Sequence, residues 1–200
     1  MKHMTLRKTA AALTAAGLIS GLFMMSSCSS GKDSAAGEST PSTTLSPEAK
    51  EDYRSYTGDH SYDAPLAALV YEQVEGEEKG IKGIQYREVT DIGGLLSMKD
   101  TAVCLYFCSS YNADLSGITA GVEDLAQTLW GKVIFVSVDT MKDDSLSSAY
   151  GINAVPDLVL IRNGVIEAQF DSVSRGTWSI DDVVKWITES GYEPDMSLLE

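Results

Sequence analysis

From Ile84 onward the spacing of apolar and polar positions changes several times, and each change marks an element. "IQYREV" (Ile84–Val89) alternates with the period of two that suits a strand. Thr90 then opens a short helix, Asp91–Met98, weakened by Gly93 and Gly94. "AVCLYFC" (Ala102–Cys108) is almost continuously apolar, the pattern of a strand covered on both faces. Between Leu115 and Trp130, Ile118, Val122, Leu125 and Leu129 recur at helical spacing, and "KVIFVSVD" (Lys132–Asp139) is a second covered strand. Asp144 to Tyr150 forms a short helix closed by Gly151, which tolerates the left-handed conformation of a C-terminal cap. "DLVLIRNGVIEAQF" is a hairpin, because Asn163-Gly164 supplies the two positive-φ positions of its turn. Ser179 with Asp182 makes a capping box, and Ile180, Val183, Val184 and Ile187 give the helix behind it one apolar face. The order β-α-β-α-β-α-β-β-α calls for an α/β fold. Parallel strands cross over through helices on both faces of a central mixed sheet, and an antiparallel hairpin closes it.

Upstream of Ile84 the pattern is weaker. "DAPLAALVYEQV" (Asp63–Val74) fits either a capped helix or a strand, and the acidic "EGEEKG" beyond it is a solvated loop, so residues 63–83 form an extension of open structure. Residues 28–62 carry almost no large aliphatic side chain apart from Leu45 and cannot offset the entropy of ordering, so they are expected to be a flexible tether. As a random coil, such a segment reaches on the order of 30 Å. Before it stand a basic "MKHMTLRK", an apolar run from Thr9 to Met25, and Ser26, Ser27 and Cys28. The run is diluted by Gly17, Ser20 and Gly21 and is shorter than the roughly 20 residues a bilayer needs, so it is an export signal rather than a membrane span. "MSSC" resembles the lipobox of bacterial lipoprotein signals. That resemblance implies removal of residues 1–27, lipidation of Cys28 and an extracytoplasmic, membrane-anchored place in a bacterial cell envelope.

Composition narrows the chemistry. The formal net charge is −14, and the chain becomes three charges more acidic without residues 1–27, which hold Lys2, Arg7 and Lys8 and no acid. Such a chain repels phosphate backbones and anionic lipid surfaces, which excludes nucleic acid as a partner. With Cys28 lipidated, Cys104 and Cys108 are the thiols left, and His60 is the one histidine besides His3. That inventory supplies neither a Cys/His metal site nor a cofactor site. His60, in a polar and mobile stretch, is a poor base for Ser109, Ser110 or a cysteine. Asp143-Asp144 and Asp181-Asp182 lack calcium-loop spacing and read as helix-start charges.

The element order together with "GINAVPDLVLIRNG" (Gly151–Gly164) resembles a thioredoxin domain, spanning Ile84 to Tyr192 and leaving residues 193–200 as a tail. The resemblance implies a thioredoxin-like fold and a cis Val155-Pro156 peptide. It also places the family's Trp-Cys-Gly-Pro-Cys on Tyr111-Asn112-Ala113-Asp114-Leu115, where both cysteines are replaced. The family's buried strand aspartate falls on Tyr106 and its neighbouring lysine on Phe135. Thiol exchange needs a nucleophilic thiolate and a resolving thiol, and Asn112 and Leu115 supply neither. Cys104 and Cys108 do not replace the pair. Four residues apart on a strand they face one side but stand about 13 Å apart, where a disulfide needs Cα atoms roughly 4.4–6.8 Å apart. Cys104 is then a buried inert thiol, and Cys108, at the carboxyl end of its strand, is the candidate reactive one. The expected function is a redox-degenerate module binding a protein or peptide partner in the envelope through Tyr111, Asn112, Val155 and Pro156. One alternative is a thiol-disulfide oxidoreductase using Cys108 alone, and another is a structural subunit of an envelope complex.

Overall fold

The computed structural model describes residues 52–111 and 116–199. The expected signal, Cys28, most of the tether and the segment Asn112–Leu115 lie outside the described residues.

Two strands stand ahead of the one expected first. A 3₁₀ turn at Tyr53–Ser55 leads into β1 (Thr57–His60), followed by β2 (Leu66–Gln73) and β3 (Lys82–Val89). A short helix α1 (Ile92–Leu96) precedes β4 (Ala102–Cys108), and α2 (Ser116–Thr128) carries the chain to β5 (Val133–Asp139). Then come α3 (Ser145–Tyr150), the hairpin β6 (Asp157–Arg162) and β7 (Val165–Gln169), a single turn α4 (Ser172–Arg175), and α5 (Ile180–Glu189). The seven strands form one sheet in the order β1-β3-β2-β5-β4-β6-β7.

Period-two burial sorts the strand side chains between two cores. Cys104, Tyr106, Phe135, Leu158 and Leu160 point to the face covered by α2 and α5, where Val122, Leu125, Leu129, Val183 and Ile187 meet them. Val103, Leu105, Phe107, Val136 and Val159 point to the other face, under Leu95 of α1 and Leu146 and Tyr150 of α3. Burial on both faces explains why β4 and β5 are continuously apolar. The two glycines that weaken α1 have a use at Gly94. A Cβ there would stand 2.5 Å from the Tyr56 ring, and Asp91 caps the helix by accepting from the Gly94 N–H at 2.9 Å. Gly151 closes α3 at φ 67°, and Asn163 and Gly164 take φ 52° and 73° in the hairpin turn. At the start of α5 the Ser179 N–H donates to Asp182 at 2.9 Å, as the capping box requires.

Several expectations need correction. The tether does not run to residue 62. Tyr53 is buried, its ring edge-on to Trp130 at 5.5 Å, and β1 pairs antiparallel with β3. One aromatic anchor and a strand edge suffice to order a segment whose composition alone looks unstructured. His60 accordingly sits in a strand, not a mobile stretch. The open segment 63–83 contains β2, whose Ala67–Val70 are fully buried because it lies between β3 and β5, antiparallel to both. Ile84–Val89 is therefore not a parallel partner of the central strands, and the parallel pairing is β4 with β5, joined through α2. The C-terminal tail also docks. The Asp195 N–H donates to Thr128 O at 2.8 Å, Lys132 reaches Glu193 O, and Met196–Leu199 forms a 3₁₀ turn beside α2.

Candidate functional site

β4 and β5 run parallel and end together, with Cys108 paired in register with Asp139. The loops beyond them are tied by Asp139. Its Oδ1 accepts the N–H groups of Ser110 at 3.3 Å and Met141 at 3.2 Å, while Oδ2 faces Lys142 Nζ at 3.3 Å. Burial works against the Asp139 charge, but these bonds outweigh it and hold the carboxyl below its ordinary range. Lys142 also donates to Asp63 O, and Thr140 donates through both its N–H and its hydroxyl to Cys108 O at 3.0 Å.

Cys108 is half-buried on the α2 and α5 side, its Sγ donating to Val138 O at 3.7 Å. Burial, and then the neighbouring Asp139 carboxylate, push its thiol up to about 11. A redox nucleophile needs the opposite environment, an electropositive one that favours thiolate. Cys104 is wholly buried in the same core, burial raises its thiol strongly, and both cysteines are free.

Beside Cys108 a cleft of about 490 Å³ opens between the strand ends and α2. Tyr106, standing where the resembled family has its buried acid, lines the cleft floor and pairs its hydroxyl with Thr119 Oγ1 at 3.0 Å. Burial pushes its phenol up to about 12, so it is a neutral packing residue. On the facing wall Tyr86 donates to Glu123 Oε1 at 2.7 Å, and the Tyr62 ring lies on Tyr86 with centroids 4.9 Å apart. Burial, and after it Glu123, raise the Tyr86 phenol, so it stays a donor.

The expected partner-binding residues are Tyr111, Asn112, Val155 and Pro156. Tyr111 is 83% exposed at the rim and Asn112 lies outside the described residues. The Val155-Pro156 peptide is cis, and Val155 packs partly buried against the core under α1 and α3. Because Phe107 pairs with Asp157, the β4–β6 register brings Pro156 level with Cys108. Of the residues singled out from the sequence, Tyr106, Cys108, Ser109 and Ser110 line the cleft; Tyr111, Val155 and Pro156 do not. The sequence reading missed Tyr62, Tyr86, Glu123 and Asp139. The one signal available was a carboxylate among the apolar positions of α2; the cleft itself depends on β3, which the sequence did not set beside that helix.

Residues 94–189 match the thioredoxin family model. Among solved structures, one titled only as a malarial protein is 20% identical with a TM-score of 0.39, covering 45% of this chain and 97% of its own. The germline-specific thioredoxin Deadhead of Drosophila melanogaster is 18% identical with a TM-score of 0.40, covering 45% of this chain and 81% of its own.

Proposed function

Since the chain carries a thioredoxin domain, matched over residues 94–189, we propose that it is a redox-degenerate member that binds protein or peptide, held to the outer side of a membrane by lipid on Cys28. The observation that carries this reading is the state of the thiols. The resemblance places the dithiol on Asn112 and Leu115, and the cysteine next before them in sequence, Cys108, is half-buried and kept protonated by burial and Asp139. What the fold retains is a backbone edge at the Val155-Pro156 step, level with the end of β4. Strand addition along such an edge uses main-chain hydrogen bonds and needs no cysteine. The basic, apolar and small-residue order ending at Cys28 supports export and lipidation, and the acidic composition suits a partner other than nucleic acid.

The test is photo-cross-linking in the native envelope from position 111 and from Val165, an exposed residue at the opposite end of the sheet. Capture of a partner from position 111 alone supports a binding module. Equal capture from both positions supports a structural subunit of a larger assembly. Reduction of a disulfide substrate above background that disappears in Cys108→Ser would restore the single-thiol oxidoreductase. Mass spectrometry of the cell-derived protein reads lipid on Cys28 directly.

A further inference from the structure

The cleft beside Cys108 is not needed for backbone recognition, yet its walls are built with a consistent chemistry. Three of its linings are tyrosine rings, Tyr62, Tyr86 and Tyr106. The hydroxyls of Tyr86 and Tyr106 are already engaged, with Glu123 and Thr119, and Tyr106 is buried beneath the floor, so the aromatic surface open to a ligand is that of exposed Tyr62 and half-buried Tyr86. The charges are not balanced. Lys142 is spent on Asp139 at 3.3 Å, whereas among the described residues no basic group pairs with Glu123. Tyr86 holds one Glu123 oxygen and thereby fixes the carboxylate's direction, leaving Oε2 to accept. Aromatic faces attract cations within about 6 Å of the ring centroid, and an oriented carboxylate beside them adds a charge-assisted hydrogen bond. Anions are opposed both here and by the chain's net charge of −14. At about 490 Å³ the space is within the range of pockets that take small groups.

We infer that this cleft receives the cationic side chain, guanidinium or ammonium, of a basic residue in the bound peptide. The inference rests on the peptide-binding reading, because the cleft adjoins the end of β4 where Cys108 stands level with Pro156. A peptide lying along that edge presents alternate side chains toward the two faces of the sheet, and those on the α2 side meet the cleft. The backbone edge supplies affinity and the cleft supplies a preference for positive charge.

The test is calorimetric titration of the full chain at low ionic strength with three probes. These are a blocked hexapeptide carrying one arginine among alanines, the same peptide with the neutral isostere citrulline, and free agmatine. The arginine peptide is expected to bind about tenfold tighter than the citrulline peptide, with agmatine weaker than either. In Glu123→Gln and Tyr62→Ala, each checked for an unchanged melting temperature, that preference should shrink to about twofold or less. Equal binding of the two peptides overturns the cationic preference and leaves peptide binding standing. Failure of both peptides to bind overturns both readings. Agmatine binding as tightly as the arginine peptide, or a preference that survives in both variants, overturns the assignment of this cleft to a peptide-borne side chain.

Discussion

Cys108 stands directly opposite Asp139 across the parallel β4–β5 pair, with the carboxylate held ionised by Ser110, Met141 and Lys142. A negative charge beside a half-buried thiol raises the energy of the thiolate twice over, by desolvation and by repulsion. Relative to a free thiol near 9, a value of about 11 leaves about a hundredfold less thiolate at neutral pH. Alkylation of Cys108 should be slow at pH 7.5 and accelerate toward pH 11. Asp139→Asn should speed it severalfold but not to the free rate, because burial is the larger cause. Cys104 should stay unlabelled until the protein unfolds. Rapid labelling of Cys108 in the native protein at pH 7 would contradict this picture.

Glu72 of β2 gathers His60, Arg87 and Tyr53, at 2.8, 2.6 and 3.2 Å, and so fastens the N-terminal segment to the sheet. Burial works against the Glu72 charge, but Arg87, His60 and Tyr53 outweigh it and lower its carboxyl below 4.5. Hydrogen bonds to Glu72 and then Glu75 raise His60 above 6.5. A lowered carboxyl stabilises the fold above pH 4.5, and that contribution is lost as pH falls through its folded value. A raised imidazole stabilises below pH 6.5, and that contribution is lost as pH rises through its own folded value. The network is therefore strongest between about pH 4.5 and 6.5. Melting temperatures of wild type and His60→Gln should differ most in that window and converge toward alkaline pH. A constant difference across the range would assign the effect to packing.

Tyr53 fastens the start of the described chain to the sheet. Its ring packs edge-on to Trp130 and its hydroxyl reaches Glu72. Tyr53→Ala should cost about 3 kcal/mol in urea unfolding. Chains beginning at residue 52 should match the full chain in stability, whereas chains beginning at residue 63 should lose at least as much as Tyr53→Ala. Equal stability of the two truncations would show that residues 53–60 contribute nothing to the folded body.

Gly121 lets α2 and α5 approach, since a Cβ there would overlap the Ile180 side chain. In an open helix Gly→Ala stabilises by about 1 kcal/mol. Here overpacking should reverse the sign, destabilising by about 1–2 kcal/mol. Ile180→Val should relieve part of that cost, so a double-mutant cycle should show coupling between the two sites. Additive effects would mean that the helices separate freely.

Apart from the single turn α4, the elements from Ala102 to Glu189 were legible because each depends on contacts near in sequence. Continuous apolar runs mark β4 and β5, the Asn163-Gly164 pair marks the β6–β7 turn, and Ser179 with Asp182 marks the start of α5. The thioredoxin resemblance was legible for the same reason, since a motif is a local string. α4 was missed because four residues carry no period. The cleft was out of reach because Tyr62, Tyr86, Glu123 and Asp139 come from four separate stretches of chain.

The sequence by itself determined which segments could bury one face or two, which turns needed positive φ, and that Cys28, Cys104 and Cys108 include no Cys-x-x-Cys pair. These follow from side-chain period, backbone sterics and the identity of the residues. The tertiary structure alone decided that β2 lies between β3 and β5, that Tyr53 and β1 belong to the folded body, and that a carboxylate faces Cys108. Each of these depends on which distant segment becomes a neighbour. Strand pairing and charge proximity are properties of the packed chain, and no local pattern encodes them.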